Sequence, residues 1–488
     1  RWYYTKWVCW TVNRNAGNHI KRIDLSLSAE EFQRRFGRWK TVREETLGCK
    51  VNQYETQALI EMFETAGFRK ARKNEPVDVL LINTCSVTNI SERKSRQIIR
   101  RARKLNPSAI VAVTGCYAQL APDEIQKIDG VHVIAGTSER DRLVEVVQHI
   151  QPELNSPVVL TKPHALGESF ESLKVNATRD MARAYVKIQD GCNQFCSYCI
   201  IPYARGPVRS RRPEDVQEEI HTLVRNGYKE IVLTGIHLSS YGRDCKEPDA
   251  LIRLLETIDR ISGLHRFRIG SLEPTIMKED FIIRLTQLQS LCHQFHLSLQ
   301  SGHDRILKLM NRRYTTADYQ RAVERLRFYM PDAALTTDVI VGFPDETEEE
   351  FQQSLKYVQE IGFTDIHVFR YSPREGTPAA RHSNQVAESV KIIRSQQLIK
   401  VASEMKSAYA SRLVGERVSV LFERKTARFP HQMEGHTPHY VRVVVPYDSE
   451  KLHQIHSVMI TRATDEGCMG TIINENTRPG VVHVVPNQ

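Results

Sequence analysis

The stretch Asp190-Gly191-Cys192-Asn193-Gln194-Phe195-Cys196-Ser197-Tyr198-Cys199 constrains this chain more than any other. Its cysteines, at CxxxCxxC spacing, follow directly on Ala184, Tyr185, Val186, Lys187 and Ile188, a run that reads as a strand. A strand that delivers three thiolates to one loop is building a soft-metal site, zinc or an iron–sulfur cluster. Structural zinc takes a fourth protein ligand, and the next histidine is His221, on the following helix. Three thiolates suit a 4Fe–4S cluster with its fourth iron open.

The chain has 488 residues, so roughly two to four domains are expected. Over residues 41–150 helix and strand alternate: a helix at 52–66 ending before Gly67, a strand at 77–82, a helix at 91–105 with Ser91 as N-cap, and strands at 109–113 and 131–134. This predicts a small doubly wound α/β domain with a parallel sheet, whose ligands lie beyond the carboxyl ends of the strands. Cys85 and Cys116 fall at such ends, and Cys49 immediately precedes the first helix. They either converge on one edge or are separate buried thiols. Residues 1–40 read as a basic extension of unassigned role, and residues 151–181, with Pro152, Pro157 and Pro163, as a linker.

Residues 182–413 alternate again, with strands at 184–188, 231–235, 265–271, 295–300, 335–341 and 366–371. Six βα units predict a partial (βα)6 barrel, with function at the carboxyl ends of its strands. Gly235, Glu273, Gln300 and Gly342 occupy those ends and are ligand candidates. The glycines let backbone approach a ligand closely. From residue 415 to 487 short alternating strands predict a small all-β barrel.

The string from Asp190 to Arg211, DGCNQFCSYCIIPYARGPVRSR, resembles the radical S-adenosylmethionine (SAM) enzymes and, within them, the methylthiotransferases. TLGCKVNQYET, NTCSVTNISERKSRQ and TGCYAQ are similar to the three cysteine segments of that family's N-terminal domain. The segments at Glu273, Gln300 and Gly342 match its SAM-barrel strand ends, and the likeness extends over residues 41–485. The chain departs from the family at Asp345, where glycine is usual. It departs again at Arg43-Glu44-Glu45, where an apolar first strand is usual, which puts that edge of the sheet in question.

The resemblance implies two 4Fe–4S clusters. Cys192, Cys196 and Cys199 would hold the one that binds SAM, with Gly235, Glu273, Gln300 and Gly342 around the SAM. Cys49, Cys85 and Cys116 would hold an auxiliary cluster that supplies sulfur. The β domain at 415–487 would be an RNA-binding TRAM domain. The cysteine string and the segment from His367 to Ala380 look most like the branch that methylthiolates C2 of N6-threonylcarbamoyladenosine at position 37 of tRNA. Sibling branches act on isopentenyl-adenosine in tRNA or on a ribosomal-protein aspartate. A non-enzymatic iron–sulfur RNA-binding protein is the alternative of another class. An electron donor and a sulfur donor are implied partners.

The formal charge of +10 suits a polyanion. Candidate RNA contacts are Arg93, Arg96 and Arg100, which recur on one face of the helix after Cys85, and Arg205 and Arg209 beside the cysteine loop. A solvated charged face is the plainer reading of the former, a structural role that of the latter. No apolar run is long enough to span a membrane, and residues 1–10 lack the pattern of a signal peptide. Ten cysteines in so long a chain read as metal ligands in a reducing, cytoplasmic setting. Anaerobically reconstituted protein is expected to carry about eight irons, four per cluster. Alanine at Cys192, Cys196 and Cys199 should remove half of them together with SAM cleavage. Alanine at Cys49, Cys85 and Cys116 should remove the other half and leave SAM cleavage measurable. Serine at Cys9, Cys245, Cys292 or Cys468 should leave the iron content intact.

Overall fold

A computed structural model describes residues 24–150, 156–176, 182–427 and 429–473. Strands β1 (Lys40–Thr46), β2 (Phe68–Lys70), β3 (Val79–Thr84), β4 (Ile110–Gly115), β5 (Val133–Ala135) and β6 (Val158–Leu160) form one sheet in the order β2-β1-β3-β4-β5-β6. All its pairings are parallel. β3 and β4 are buried along their whole length, which explains their unbroken apolar character. The connection direction reverses between β1 and β3. That reversal opens a crevice outside the carboxyl ends of the two strands.

The folded region begins earlier than residue 41. Helix Ala29–Phe36 opens with a capping box between Ser28 and Glu31, and Phe32 is fully buried in the core of the first domain. Residues 24–40 therefore belong to that domain, while residues 1–23, Cys9 among them, lie outside the described residues. Arg43, Glu44 and Glu45 do not interrupt the sheet. β1 pairs with both β2 and β3, and Lys70 forms an ion pair with Glu44 at 2.5 Å. The expected linker also contributes structure, since β6 becomes the edge strand of the sheet and Leu173 and Val175 are buried beside Tyr54. The helix after Cys85 runs Asn89–Leu105 and is capped by Thr88 rather than Ser91, whose N–H donates to the Thr88 Oγ1 at 3.1 Å.

Strand β7 (Arg183–Lys187) begins the second domain, and the short β8 (Gln189–Asp190) and β9 (Arg209–Ser210) pair to enclose the cysteine loop. With β10 (Glu230–Thr234), β11 (Arg266–Ile269), β12 (Gln294–His296), β13 (Ala334–Val341) and β14 (Asp365–Arg370), β7 makes six barrel strands. They run as β11-β10-β7 and β12-β13-β14, linked by parallel bridges such as Leu272 to Leu297. No pairing among the described residues joins β7 to β14, so the barrel is open on that side. Strands β15 (Arg417–Lys425), β16 (Gln432–His436), β17 (Arg442–Pro446), β18 (Ile455–Thr464) and β19 (Gly467–Ile472) close into a third, small barrel. The last part of the stretch 415–487, beyond residue 473, lies outside the described residues.

Buried charge joins these parts. Glu55, on helix Lys50–Thr65 of the first domain, is fully buried against Lys187 of β7 at 2.7 Å, Arg205 at 2.6 Å and Arg140. Glu230, fully buried at the start of β10, accepts from Arg266 at 2.6 Å and Arg268 at 2.9 Å. Those arginines reach on to the backbone oxygens of His436, Thr437 and Pro438, which docks the small barrel under the large one.

Glu55→Gln should cost about 3–5 kcal/mol in denaturant unfolding, since it leaves three buried cations facing one another. The exposed Glu45→Gln should change stability by no more than about 0.5 kcal/mol. The surrounding cations hold the Glu55 carboxyl far below its usual range. Its contribution is therefore fully present above the ordinary value of 4.5 and is lost only as pH falls below that.

Candidate functional site

The cysteine loop leaves β7 and returns through β9, and its shape depends on a few backbone positions. Gly191 has φ +71°, and a Cβ there would lie 1.8 Å from the Pro207 oxygen, so only glycine fits. The Cys192 N–H donates to Gly206 O at 3.0 Å and that of Cys199 to Cys196 O at 3.0 Å. The segment Leu309–Arg312 clamps the loop from outside. The Ser197 hydroxyl donates to Leu309 O at 2.6 Å, and Asn311 Nδ2 to Phe195 O at 3.0 Å.

The sulfurs are surrounded by donors. Arg312 Nη1 reaches Cys196 Sγ at 3.2 Å, the Gln194 N–H reaches Cys192 Sγ at 3.5 Å, and the Ile201 N–H serves Cys199. Burial pushes the Cys192 thiol up to about 11 and that of Cys199 up to about 12. Such thiols stay protonated at neutral pH unless a cation joins them. Shielded sulfurs aimed at by N–H groups and a guanidinium fit a thiolate-bound iron–sulfur cluster.

Cys49, Cys85 and Cys116 converge. Cys85 and Cys116 follow β3 and β4, and Cys49 is the N-cap of helix Lys50–Thr65, across the crevice that the reversal opens. A helix N-terminus favours a thiolate. Gly48, at φ +101°, brings its backbone so close to Cys85 that a Cβ would lie 3.1 Å from the Cys85 Sγ. Burial pushes the Cys116 thiol up to about 11, and repulsion from Cys85 and Cys49 adds to the rise. Arg205 Nε donates to Cys116 Sγ at 3.4 Å, while Cys85 is served by the Val87 N–H and the Ser91 hydroxyl. With Cys85 and Cys116 buried and Cys49 exposed on the chamber wall, the three sulfurs fit a second cluster open on one side. Cys245 is exposed, and Cys292 and Cys468 are buried in other parts of the chain.

The barrel interior holds a chamber of about 650 Å³. Cys49 and Lys50 line it on the open side of the barrel, Gly235, Gly270 and Ser271 at the carboxyl strand ends, and His436, His439 and Tyr440 of the small barrel at the other end. It therefore runs from Cys49 to the strand ends at Gly235 and Ser271. His296, Asp338 and His367 meet on its wall. His296 Nε2 and His367 Nδ1 each lie 3.2 Å from a different oxygen of Asp338.

Of the expected SAM contacts, Gly235 lines this chamber. Glu273 is buried near Cys192, with its carboxylate already held by Arg312 at 2.8 Å, His237 at 3.2 Å and Gln194 at 3.3 Å. Gln300 takes φ +70° and is bonded to β13 through its backbone, its N–H donating to Asp338 O at 2.9 Å. Gly342 does not cradle a ligand. The Lys391 stem fills the place of its side chain, at 2.3 Å from a would-be Cβ, and its N–H donates to Glu346 at 2.6 Å.

The expected RNA contacts divide. Arg93 and Arg100 are exposed, whereas Arg96 donates to the Tyr117 hydroxyl at 3.0 Å. Arg205 and Arg209 are buried and cannot meet a phosphate. Arg205 instead links Cys116, Glu55 and Asn52, with Asp190 at 3.3 Å. Arg209 packs against Pro207 O and Glu168. Reading the sequence missed Arg312, Lys50 and the His296–Asp338–His367 group, because each acts through a distant partner and no local motif marks it.

Comparison with known proteins agrees with this geometry. The radical SAM superfamily profile matches residues 186–358, and that of an uncharacterized protein family, UPF0004, matches residues 41–136. The chain is 41% identical to a threonylcarbamoyladenosine tRNA methylthiotransferase of Bacillus subtilis, over 87% of this chain and 94% of that protein. It is 36% identical to the protein of that name in Thermotoga maritima, covering 88% and 96%. It is 34% identical to a tRNA-2-methylthio-N(6)-dimethylallyladenosine synthase of Clostridium novyi, covering 88% and 95%. Among solved structures, a radical SAM methyltransferase from Kitasatospora setae bound to tryptophan and a SAM analogue superposes with TM-score 0.51 at 16% identity, over 70% of this chain and 75% of that one.

Arg312→Met should keep the iron content but lower the midpoint potential of the cluster at Cys192, Cys196 and Cys199. Losing a donor and a positive charge disfavours the more negative reduced state. A shift on the order of 60 mV, tenfold for a one-electron couple, is expected in potentiometric titration.

Proposed function

The chain belongs to the radical SAM methylthiotransferases, and from that premise we propose that it methylthiolates C2 of N6-threonylcarbamoyladenosine at position 37 of tRNA. One observation carries the reading. The 650 Å³ chamber is lined at once by the auxiliary cysteine Cys49 and by the strand ends at Gly235 and Ser271. A base held there would face Cys49 on one side and the strand ends expected to hold SAM on the other. The threonylcarbamoyl branch is favoured because the Bacillus subtilis relative bearing that name is 41% identical, against 34% for the dimethylallyl one cited above.

When bound, the clusters supply the electron that splits SAM homolytically and the sulfur that is transferred. The chain's residues do the rest. Arg312 and the loop N–H groups hold the cysteine sulfurs in place, and Arg205 does the same for Cys116. His237 and Arg312 hold Glu273 at the rim, where its oxygens can accept from the amino or ribose groups of SAM. Helix Lys50–Thr65 and the small barrel supply two of the chamber's walls.

RNA has a place to bind at the mouth. A groove of about 750 Å³ on the small barrel exposes Arg424, Lys425 and Arg462 beside Phe429, and shares Arg442 and Glu466 with the chamber. Cations that grip phosphates, with an exposed ring for a base, suit a single-stranded loop. Arg93 and Arg100 extend the basic surface on the first domain. A base can then leave the anticodon loop for the chamber, as enzymes acting on a base atom require. An electron donor and a sulfur donor complete the cycle.

The purified enzyme, given SAM, a reductant and a sulfur source, should methylthiolate tRNA bearing threonylcarbamoyladenosine and leave isopentenyl-adenosine tRNA unmodified, as read by nucleoside mass spectrometry. Reversed preference would reassign the branch. Modification of a ribosomal protein would overturn the RNA reading. Affinity for tRNA should fall steeply with salt, and Arg424→Ala with Arg462→Ala should flatten that slope.

A further inference from the structure

We propose that Lys50 is the carboxylate-binding residue of the chamber and sets the preference for a carboxylate-bearing base. The inference rests on the threonylcarbamoyladenosine reading above and adds to it the group that recognises the substituent.

Lys50 follows Cys49 directly and lines the chamber. Its side chain is exposed, and part of what it is exposed to is the chamber interior. Its ammonium lies 6.0 Å from the centre of the Tyr440 ring, with the Arg183 guanidinium at 5.2 Å and that of Arg268 at 4.9 Å around the same ring. Three cations therefore converge on one aromatic side chain.

Two of the three are satisfied. Arg268 is held by Glu230 and by the backbone oxygens of Thr437 and Pro438, and Arg183 by Glu423 and Glu230. Lys50 has no carboxylate within ion-pair distance among the described residues. The Arg183 and Arg268 guanidiniums share the same ring, and the buried acids Glu230 and Asp338 are paired with Arg268 and His367. A lysine held among like charges on the chamber wall lacks an anion. The carboxylate of the threonyl group is an anion of the right chemistry.

Position agrees with charge. In an N6-carbamoyl adenine the ureido N–H folds back onto N1, so the substituent lies along the N1–C2 edge of the base. A base that presents C2 to Cys49 therefore brings its carboxylate toward the side chain next to that cysteine. The same lysine works against an isopentenyl group, which would cover the ammonium without pairing it.

The test uses reconstituted holoenzyme without reductant, and measures equilibrium binding of three anticodon stem-loops. One carries threonylcarbamoyladenosine, one the same base with its carboxylate converted to the primary amide, and one isopentenyl-adenosine. Wild type should prefer the carboxylate over the amide by roughly ten- to a hundredfold. Lys50→Met should abolish that preference, leave amide affinity within about twofold, and tighten isopentenyl binding; Lys50→Arg should keep the preference. Iron content and circular dichroism establish that each variant is folded. Undiminished carboxylate preference in a folded Lys50→Met, or no preference in wild type, would overturn the inference. Turnover separates the two readings. If reduced wild-type enzyme with SAM fails to methylthiolate the threonylcarbamoyl stem-loop, the functional reading falls. If it succeeds while Lys50→Met keeps its discrimination, only the role of Lys50 falls.

Discussion

At the junction of the first two domains lies one fully buried carboxylate, that of Glu55. It meets cations from three separate parts of the chain: Arg140 after β5, Lys187 at the end of β7 and Arg205 behind the cysteine loop. Asp190, two residues before Cys192, shares Lys187 at 2.6 Å and Arg205 at 3.3 Å. Arg205 then touches the Cys116 sulfur. One continuous string of charge thus runs from Cys116 to Asp190, at the entry of the cysteine loop. Buried ion pairs of this kind add little net stability, because desolvation offsets their attraction. They are unforgiving of displacement, however, because each partner left alone is a bare charge in a dry interior. Here that intolerance fixes the position of Cys116 relative to the cysteine loop.

The open barrel makes use of that separation. β7 and β14 do not pair, and a full ring of strands would leave no room for a nucleoside. Helix Lys50–Thr65 covers the gap from the side and brings Cys49 and Lys50 to the chamber wall. Glu230 repeats the logic of Glu55 at the other end, where arginines on β11 carry the small barrel. The chamber belongs to no single domain, and its walls come from all three.

Where the sequence announced structure, it did so through local chemistry. The cysteine loop, the six barrel strands and the βα alternation around Cys85 and Cys116 were legible because spacing and apolar runs encode them directly. β1 was hard to read because its exposed half carries Arg43, Glu44 and Glu45; neighbouring strands on both sides, not its own composition, make it a strand. β16, QMEGH, has polar ends and a glycine, yet Gly435 is required by close contact with Leu421 O, 2.1 Å from a would-be Cβ. The arginines misled most. Arg205 and Arg209 look like surface cations in sequence, and only the tertiary fold supplies the buried acids that draw them inside. Lys50 is the converse, an ordinary helix-start lysine until the chamber around it is seen.

The junction of chamber and groove explains why a β-barrel is attached to a radical enzyme at all. Arg442 and Glu466 form an ion pair that lines both spaces, with Tyr440 on the chamber side and Arg424 and Phe429 on the groove side. On the proposed reading, phosphate contacts along the groove would give affinity without sequence information. They would also hold the backbone of a loop at a set distance from the mouth, which leaves one base free to turn inward. Inside, on the inference drawn above, selection passes to short-range charge from Lys50. Long-range grip and short-range choice are thus assigned to different domains. The arginines that pin the small barrel under the large one keep the two in register, since a groove free to shift would deliver the base to no fixed point between the cysteine sites.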